Sequence, residues 1–309
     1  MFFCECEKKS KNLRETVSKL RALTSLNQVE YDDLLRVFAP LIETKLRHYT
    51  LKGKRRKRVL YQEMAHSSLY GSQSKLDFIL TYMKENPNQS YHGYLFEMSQ
   101  SKVSEWVNFI IPSLEEALDR LCLLPQQGDY WDLEQESTDF LSMDVVERQV
   151  PRRSDYEAQK EEYSGKKKCH TIKHLAIADS KGKVLFLTDA YVGSVHDKVV
   201  WDDLVIHPGA ITLLADLGFL GIEKEHSTII LPYKKPKGRD LSDLKKKINQ
   251  GISRARVIVE HAFAGIKRLK IIRNKIRLKS YEMRNAVMRI AAGLHNLRVQ
   301  YRKDIGNES

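Results

Sequence analysis

Long apolar runs are missing from this chain. No stretch of about 18 apolar residues occurs, so no ordinary membrane-spanning helix is expected. The N-terminal MFFCECEKKS carries an apolar patch too short for a secretory leader. Cysteine is scarce, with four residues at 4, 6, 122 and 169 and no CxxC pair. That argues against a disulfide framework and a structural zinc site, and fits a reducing, cytoplasmic compartment. No internal repeat is visible. What remains is 309 residues, 42% hydrophobic and 30% charged, enough to bury cores in two ordinary domains.

Charge of one sign is also missing from most of the chain, and the exception is local. Residues 1–140 hold 19 basic and 20 acidic side chains. The stretch 231–279 holds 16 basic and three acidic ones, which accounts for the whole net charge of +12. A concentrated positive field calls for a polyanion, and nucleic acid is the obvious one, although a solvated basic face is the plain alternative.

The first part reads as helices. Leu13, Val17, Leu20 and Leu23, then Leu34, Leu35, Phe38, Leu41 and Ile42, recur at helical spacing, so 1–51 is a helical segment. KGKRRKR, residues 52–58, follows as a basic linker that either lies along phosphates or is simply solvated. Residues 59–121 form a second helical domain. Within it a short helix (His92–Met98), a polar break at Ser99–Ser101 and a longer helix read as a helix-turn-helix over about 90–120. Val103, Trp106, Val107 and Ile110 make the apolar stripe of that second helix. Gln100, Ser101, Lys102, Ser104 and Asn108 point elsewhere and are the types that reach base edges; an ordinary helical hairpin has the same pattern. Residues 122–139, polar and acidic, read as a linker.

From 140 to 303 strands alternate with helices, which predicts α/β architecture with a mixed sheet. Strand-like runs cover Phe140–Val146, Lys173–Ala178, Lys183–Thr188, Ile211–Ala215 and Thr228–Pro232. Asp144, Asp179, Asp189 and Asp216 all lie within or beside these runs, where a carboxylate is held rigidly enough for a hard cation. Spacing alone does not choose among the four. The predicted helix Ser253–Lys270 carries Glu260 amid apolar residues, with Arg256 and Lys267 on its face. Arg256–Glu260 is either a surface ion pair or a metal ligand beside a phosphate-holding cation. Cys169, His170 and His174 lack zinc spacing. Trp106, Trp131 and Trp201 read as core or anchor residues.

Six ordered motifs carry a resemblance over roughly residues 90–300: MDVVERQVP, YSGKKKCHTIKHLAI, GSVHDKVVWDDL, LLADLGFLGI, LPYKKPKG with SRARVIVEHAFAGIK, and AAGLHNLR. The chain resembles the DDE transposases of bacterial insertion sequences, in the group called insertion-sequence family five, related to the Harbinger-like superfamily. Val146 stands where that group often has Thr, and Ser253 where many members have Tyr.

The resemblance implies a ribonuclease-H-like catalytic core after the all-helical N-terminal region. It selects Asp144, Asp216 and Glu260 as the catalytic acids and ligands of two Mg²⁺ ions, which Mn²⁺ would replace. Glu147, His196 and Asp197 become auxiliary residues, and Lys234, Lys235, Arg256 and Lys267 phosphate contacts. The implied activity is metal-dependent cleavage at terminal inverted repeats and strand transfer into target DNA. The implied partners are double-stranded DNA and further copies of the chain, as a dimer or larger, with no membrane. A protein that kept the fold and binds DNA without strand transfer is the alternative.

Overall fold

A computed structural model describes residues 19–59, 62–63, 67–127, 130–132, 138–207, 210–224, 226–278 and 280–306. Leu13, Val17, Cys4 and Cys6 lie outside these residues, as does the side chain of Trp131. The chain divides into two compact units. One holds the residues up to Leu123 together with Arg268–Arg273, and the other Leu124–Lys267 and everything from Asn274.

In the first unit, α1 (Gln28–His48) starts in a capping box: the Asn27 side chain accepts from Glu30 N–H and the Glu30 carboxylate accepts from Asn27 N–H. Its Leu34, Phe38 and Ile42 are fully buried. Next, α2 (Gly71–Glu85) ends at Asn86, whose left-handed backbone stops the helix. Then α3 (Gln89–Leu95), capped by Asn88, turns into α4 (Gln100–Arg120), capped by Ser99. The sequence places the short helix three residues too late, because Asn88 rather than a later residue supplies the cap. The α4 stripe of Val103, Trp106, Val107 and Ile110 is buried as its spacing requires. His92 sits beneath it among Phe78, Tyr82 and Phe96, and burial pushes its imidazole pKa down to about 4. The helical segment, the basic run 52–58 and the helix-turn-helix thus pack as one unit.

The second unit is built on a mixed sheet. A small parallel pair, β1 (Tyr130–Asp132) with β7 (Val205–His207), stands apart from it. Gln126 also pairs with the main sheet, at Phe186, so the polar segment expected to be a linker is partly strand. In the main sheet, β2 (Leu141–Gln149) is central. It runs antiparallel to the long β4 (Cys169–Asp179) and parallel to β8 (Leu213–Leu214), and β9 (Ile229–Ile230) follows β8 in parallel. The far edge of β4 is covered by β3 (Tyr163–Ser164), β5 (Val184–Leu187) and β6 (Tyr191–Val192).

Between strands lie α5 (Tyr156–Glu162) and α6 (Asp197–Asp202). After them come α7 (Asp243–Ile266), which lies along β2, β4 and β8, and α8 (Tyr281–Gly306), which packs on α7 and β5. This is the mixed α/β architecture of a ribonuclease-H-like core. One face of β2 and β4 sends Leu141, Met143, Leu175 and Ile177 into a core with Val200 and Trp201 of α6 and Phe219. Strand alternation turns Ser142, Asp144 and Val146 to the other face.

Candidate active site and nucleic-acid surface

Strand pairing brings two of the candidate acids level. Ser142 of β2 is in register with Leu214 of the parallel β8. Asp144 stands two residues beyond Ser142, and Asp216 two beyond Leu214. Equal offsets on neighbouring parallel strands put both carboxylates at the same height, side by side. The other two aspartates are placed differently. Asp179 accepts from the N–H groups of Lys181 and Lys183, and the exposed Asp189 bonds only Gln127 among the described residues.

Asp144 is half-buried, and its carboxylate accepts from Val145 N–H at 2.8 Å. Burial raises its pKa; the Val145 hydrogen bond and the Arg256 charge work against that, while Asp216 and Asp197 reinforce it by repulsion. Asp216 caps the turn Leu217–Phe219, accepting from Gly218 N–H at 2.6 Å. A β-carbon at Gly218 would lie 2.8 Å from Asp216 Oδ1 and 3.1 Å from Asp197 Oδ2. Both carboxylates therefore border the bare face of this glycine. Asp197 opens α6 and is held by Lys173 Nζ at 3.0 Å, which also donates to Val195 O at 2.7 Å. His196 beside it is exposed.

The third candidate lies on α7. Arg256, on α7, is half-buried with an Nε that has no hydrogen-bond partner among the described residues. Glu260, one turn later, is exposed. Among the described residues no three His, Cys, Asp or Glu side chains are grouped to hold a metal ion. Glu147 accepts from Thr171 Oγ1 at 2.6 Å and lies on the strand face opposite Asp144. Lys267 closes α7, exposed. Lys234 and Lys235 are exposed in the loop after β9, with Lys235 paired to Asp240 at 2.7 Å. His174 is a core residue: its ring meets Thr188 O at 3.0 Å, and burial drives its pKa down to about 3.

In the other unit, Gln100, Ser101, Lys102 and Asn108 are exposed at the start of α4, and Ser104 is half-buried. Gln100 bonds Gln89 of α3 and Lys102 bonds Glu105, so this end of the helix is ordered by its neighbours.

Two family models match the chain. Residues 143–296 match the DDE superfamily endonucleases, and residues 67–120 the helix-turn-helix of DDE superfamily endonucleases. The chain belongs to the DDE superfamily endonucleases. A probable transposase for insertion sequence element IS702, from Microchaete diplosiphon, is 28% identical over 207 residues, which is 64% of this chain and 71% of the relative. No solved structure matches significantly. The helix-turn-helix match of this DDE endonuclease spans α2, α3 and α4. Among the described residues no helix is long and apolar enough to cross a membrane.

Sequence reasoning missed Lys173 and Gly218. Lys173 lies in the strand-like KHLAIA without any pattern that ties it to Asp197, and Gly218 is one small residue in LADLGF.

The raised pKa of Asp144 has a measurable consequence. The folded chain holds this proton more tightly than the unfolded chain does. Stability is therefore lost as pH rises from the ordinary aspartate value through the raised one, and it stays lost above it. Asp144→Asn removes the charge that causes this. In metal-free buffer the variant is expected to melt above wild type at neutral pH, with the gap closing in acid. Equal melting curves at both pH values would contradict the electrostatic picture of the site.

Proposed function

We propose that this DDE endonuclease is a DNA transposase, cutting at terminal inverted repeats and joining the freed ends to target DNA, within the insertion-sequence family five group. The side-by-side placement of Asp144 and Asp216, with Arg256 acting on the same carboxylate, carries this reading. Two hard oxygen ligands that repel each other fit a divalent cation such as Mg²⁺, which uses few protein carboxylates, and Mn²⁺ would substitute. Asp144 and Asp216 would hold the ions, two in all, with Glu260 of α7 as the third acid. When bound, such ions activate the attacking oxygen and offset charge on the leaving one.

The protein's own groups do the rest. Arg256, whose Nε is unpaired among the described residues and whose charge acts on Asp144, would donate to a phosphate oxygen. Lys267, Lys234 and Lys235 contact the DNA backbone as part of the basic stretch. Lys173 holds Asp197 beside Asp216, and His196 and Glu147 are auxiliary. Gln100, Ser101, Lys102, Ser104 and Asn108 read the repeats from the major groove. Joining two DNA ends requires at least two copies of the chain, so a dimer or larger assembles on DNA, in the cytoplasm at the nucleoid.

One observation favours a second reading, a DNA-binding protein without strand transfer: Glu260 is exposed. Labelled DNA carrying the repeats that flank its coding locus separates the two. The transposase reading expects nicks at the repeat ends with magnesium and none with EDTA, then joined products. Tight repeat binding without cleavage under any divalent ion would establish the second reading.

A further inference from the structure

The basic run Lys52–Arg58 lies outside both matched regions and is a built turn rather than a loose linker. Thr50 N–H donates to Lys54 O at 2.9 Å, and Gly53 N–H returns to Thr50 O at 2.9 Å, with Gly53 in the left-handed region. Tyr49 and Arg55 form an antiparallel bridge. Arg56 pins the turn to the end of α1, its Nε donating to Leu46 O and Tyr49 O at 3.0 Å each and its backbone N–H to His48 O at 2.7 Å. One cation of the six is thereby used to satisfy the last carbonyls of a helix. The other five, Lys52, Lys54, Arg55, Lys57 and Arg58, are not used in this way, and Lys52 is the one that meets an acid among the described residues, Glu105 of α4 at 3.9 Å. That acid is already bonded to Lys102 at 3.0 Å.

The turn is also placed against α4. A groove of about 620 Å³ is lined by Lys52 and Gly53 on one side and by Gln100, Ser101, Ser104 and Asn108 on the other. Lys45 holds the two walls together, its Nζ donating to Phe109 O at 2.9 Å. The spacing of those four α4 residues keeps them on one helix face. A helix seated in a major groove has a phosphate backbone along each flank.

We propose that the turn Thr50–Arg58 is a phosphate clamp for double-stranded DNA, gripping the backbone beside the groove in which α4 lies and setting the register of α4 on the duplex. This rests on the reading of α4 as the DNA-reading helix. Backbone contacts carry no sequence information, so the clamp adds affinity to every duplex alike.

The test uses the full chain with Lys52, Lys54, Arg55, Lys57 and Arg58 all changed to Gln. Arg56 is kept, so the anchor of the turn survives. Binding is measured against salt concentration on a random-sequence duplex and on the best-bound sequence selected from a randomised pool. The slope of log affinity against log salt is expected to flatten by about 0.9 for each phosphate that the turn no longer neutralises, roughly two to four in total. The preference for the selected sequence over the random one is expected to hold. An unchanged slope on both duplexes overturns the clamp. The companion variant Gln100→Ala/Asn108→Ala is expected to do the reverse, losing preference while keeping the slope. If that variant behaves so and the turn variant changes nothing, the clamp alone fails. If neither variant alters binding, the reading of α4 fails with it.

Discussion

Asp216→Asn is expected to abolish magnesium-dependent cleavage while leaving DNA binding nearly intact. The substitution keeps the shape of the side chain, and its carbonyl oxygen can still accept from Gly218 N–H, the bond that caps the turn at 2.6 Å in the native chain. What disappears is one of two neighbouring negative charges, Asp216 just past the end of β8 and Asp144 on β2. With it goes half of the oxygen pair that would hold a divalent cation. A loss of about 10³-fold or more, roughly 4 kcal/mol at the transition state, is the expected scale for the assay. Binding is unaffected because α4 and the basic surface residues are unchanged. Asp189→Asn is the matched control, since that exposed side chain bonds only Gln127 among the described residues and should spare cleavage. A parallel fall in binding and cleavage for Asp216→Asn would count against a purely catalytic role.

Gly193→Ala is expected to cost stability rather than chemistry. This glycine opens the GSVHD segment and follows β6, which pairs with β4 at Ile172 and Lys173. A β-carbon there would stand 2.1 Å from Thr171 Oγ1, 2.7 Å from Glu162 O and 2.8 Å from Thr171 O. The threonine hydroxyl can rotate away only by giving up its bond to Glu147, and the two carbonyls belong to the backbone. Overpacking of this kind costs about 2–3 kcal/mol. For a domain of this size that lowers the melting temperature by about 5–10 °C. The segment leads to Asp197 four residues on, so residual activity should fall only as far as the folded fraction does. An unaltered melting temperature would show that β6 moves freely relative to β4.

The β2–β4 pair is legible in the sequence because each strand has one face in the core and the pattern alternates. The boundaries drift where burial stops marking the backbone. The helix carrying Glu260 begins at Asp243, ten residues before the expected Ser253. Its first turns, with Lys245, Lys246 and Lys247, are exposed and offer no apolar stripe to detect. Likewise Gln126 and Tyr130–Asp132 pair as strands in a segment whose polar composition reads as linker, because an edge pairing uses backbone groups and asks little of side chains.

The choice of Asp144 and Asp216 comes from the resemblance, since four aspartates look alike from spacing. The register between β2 and β8 brings those two residues to the same level of the sheet, which spacing in the sequence does not reveal. The resemblance gives Asp197 only an auxiliary place; neither it nor spacing indicates that Lys173 tethers Asp197 beside Gly218, with its charge reinforcing that of Asp216 on Asp144, while Glu260 is exposed one turn beyond Arg256.

That difference defines the most direct measurement: magnesium-dependent cleavage of repeat-end DNA by Glu260→Gln and Asp197→Asn, side by side with wild type. A site whose acids are Asp144, Asp216 and Glu260 predicts that Glu260→Gln loses cleavage while Asp197→Asn keeps most of it, with DNA binding equal in all three. Full cleavage by Glu260→Gln with loss in Asp197→Asn would contradict it and make Asp144, Asp216 and Asp197 the acids of the site.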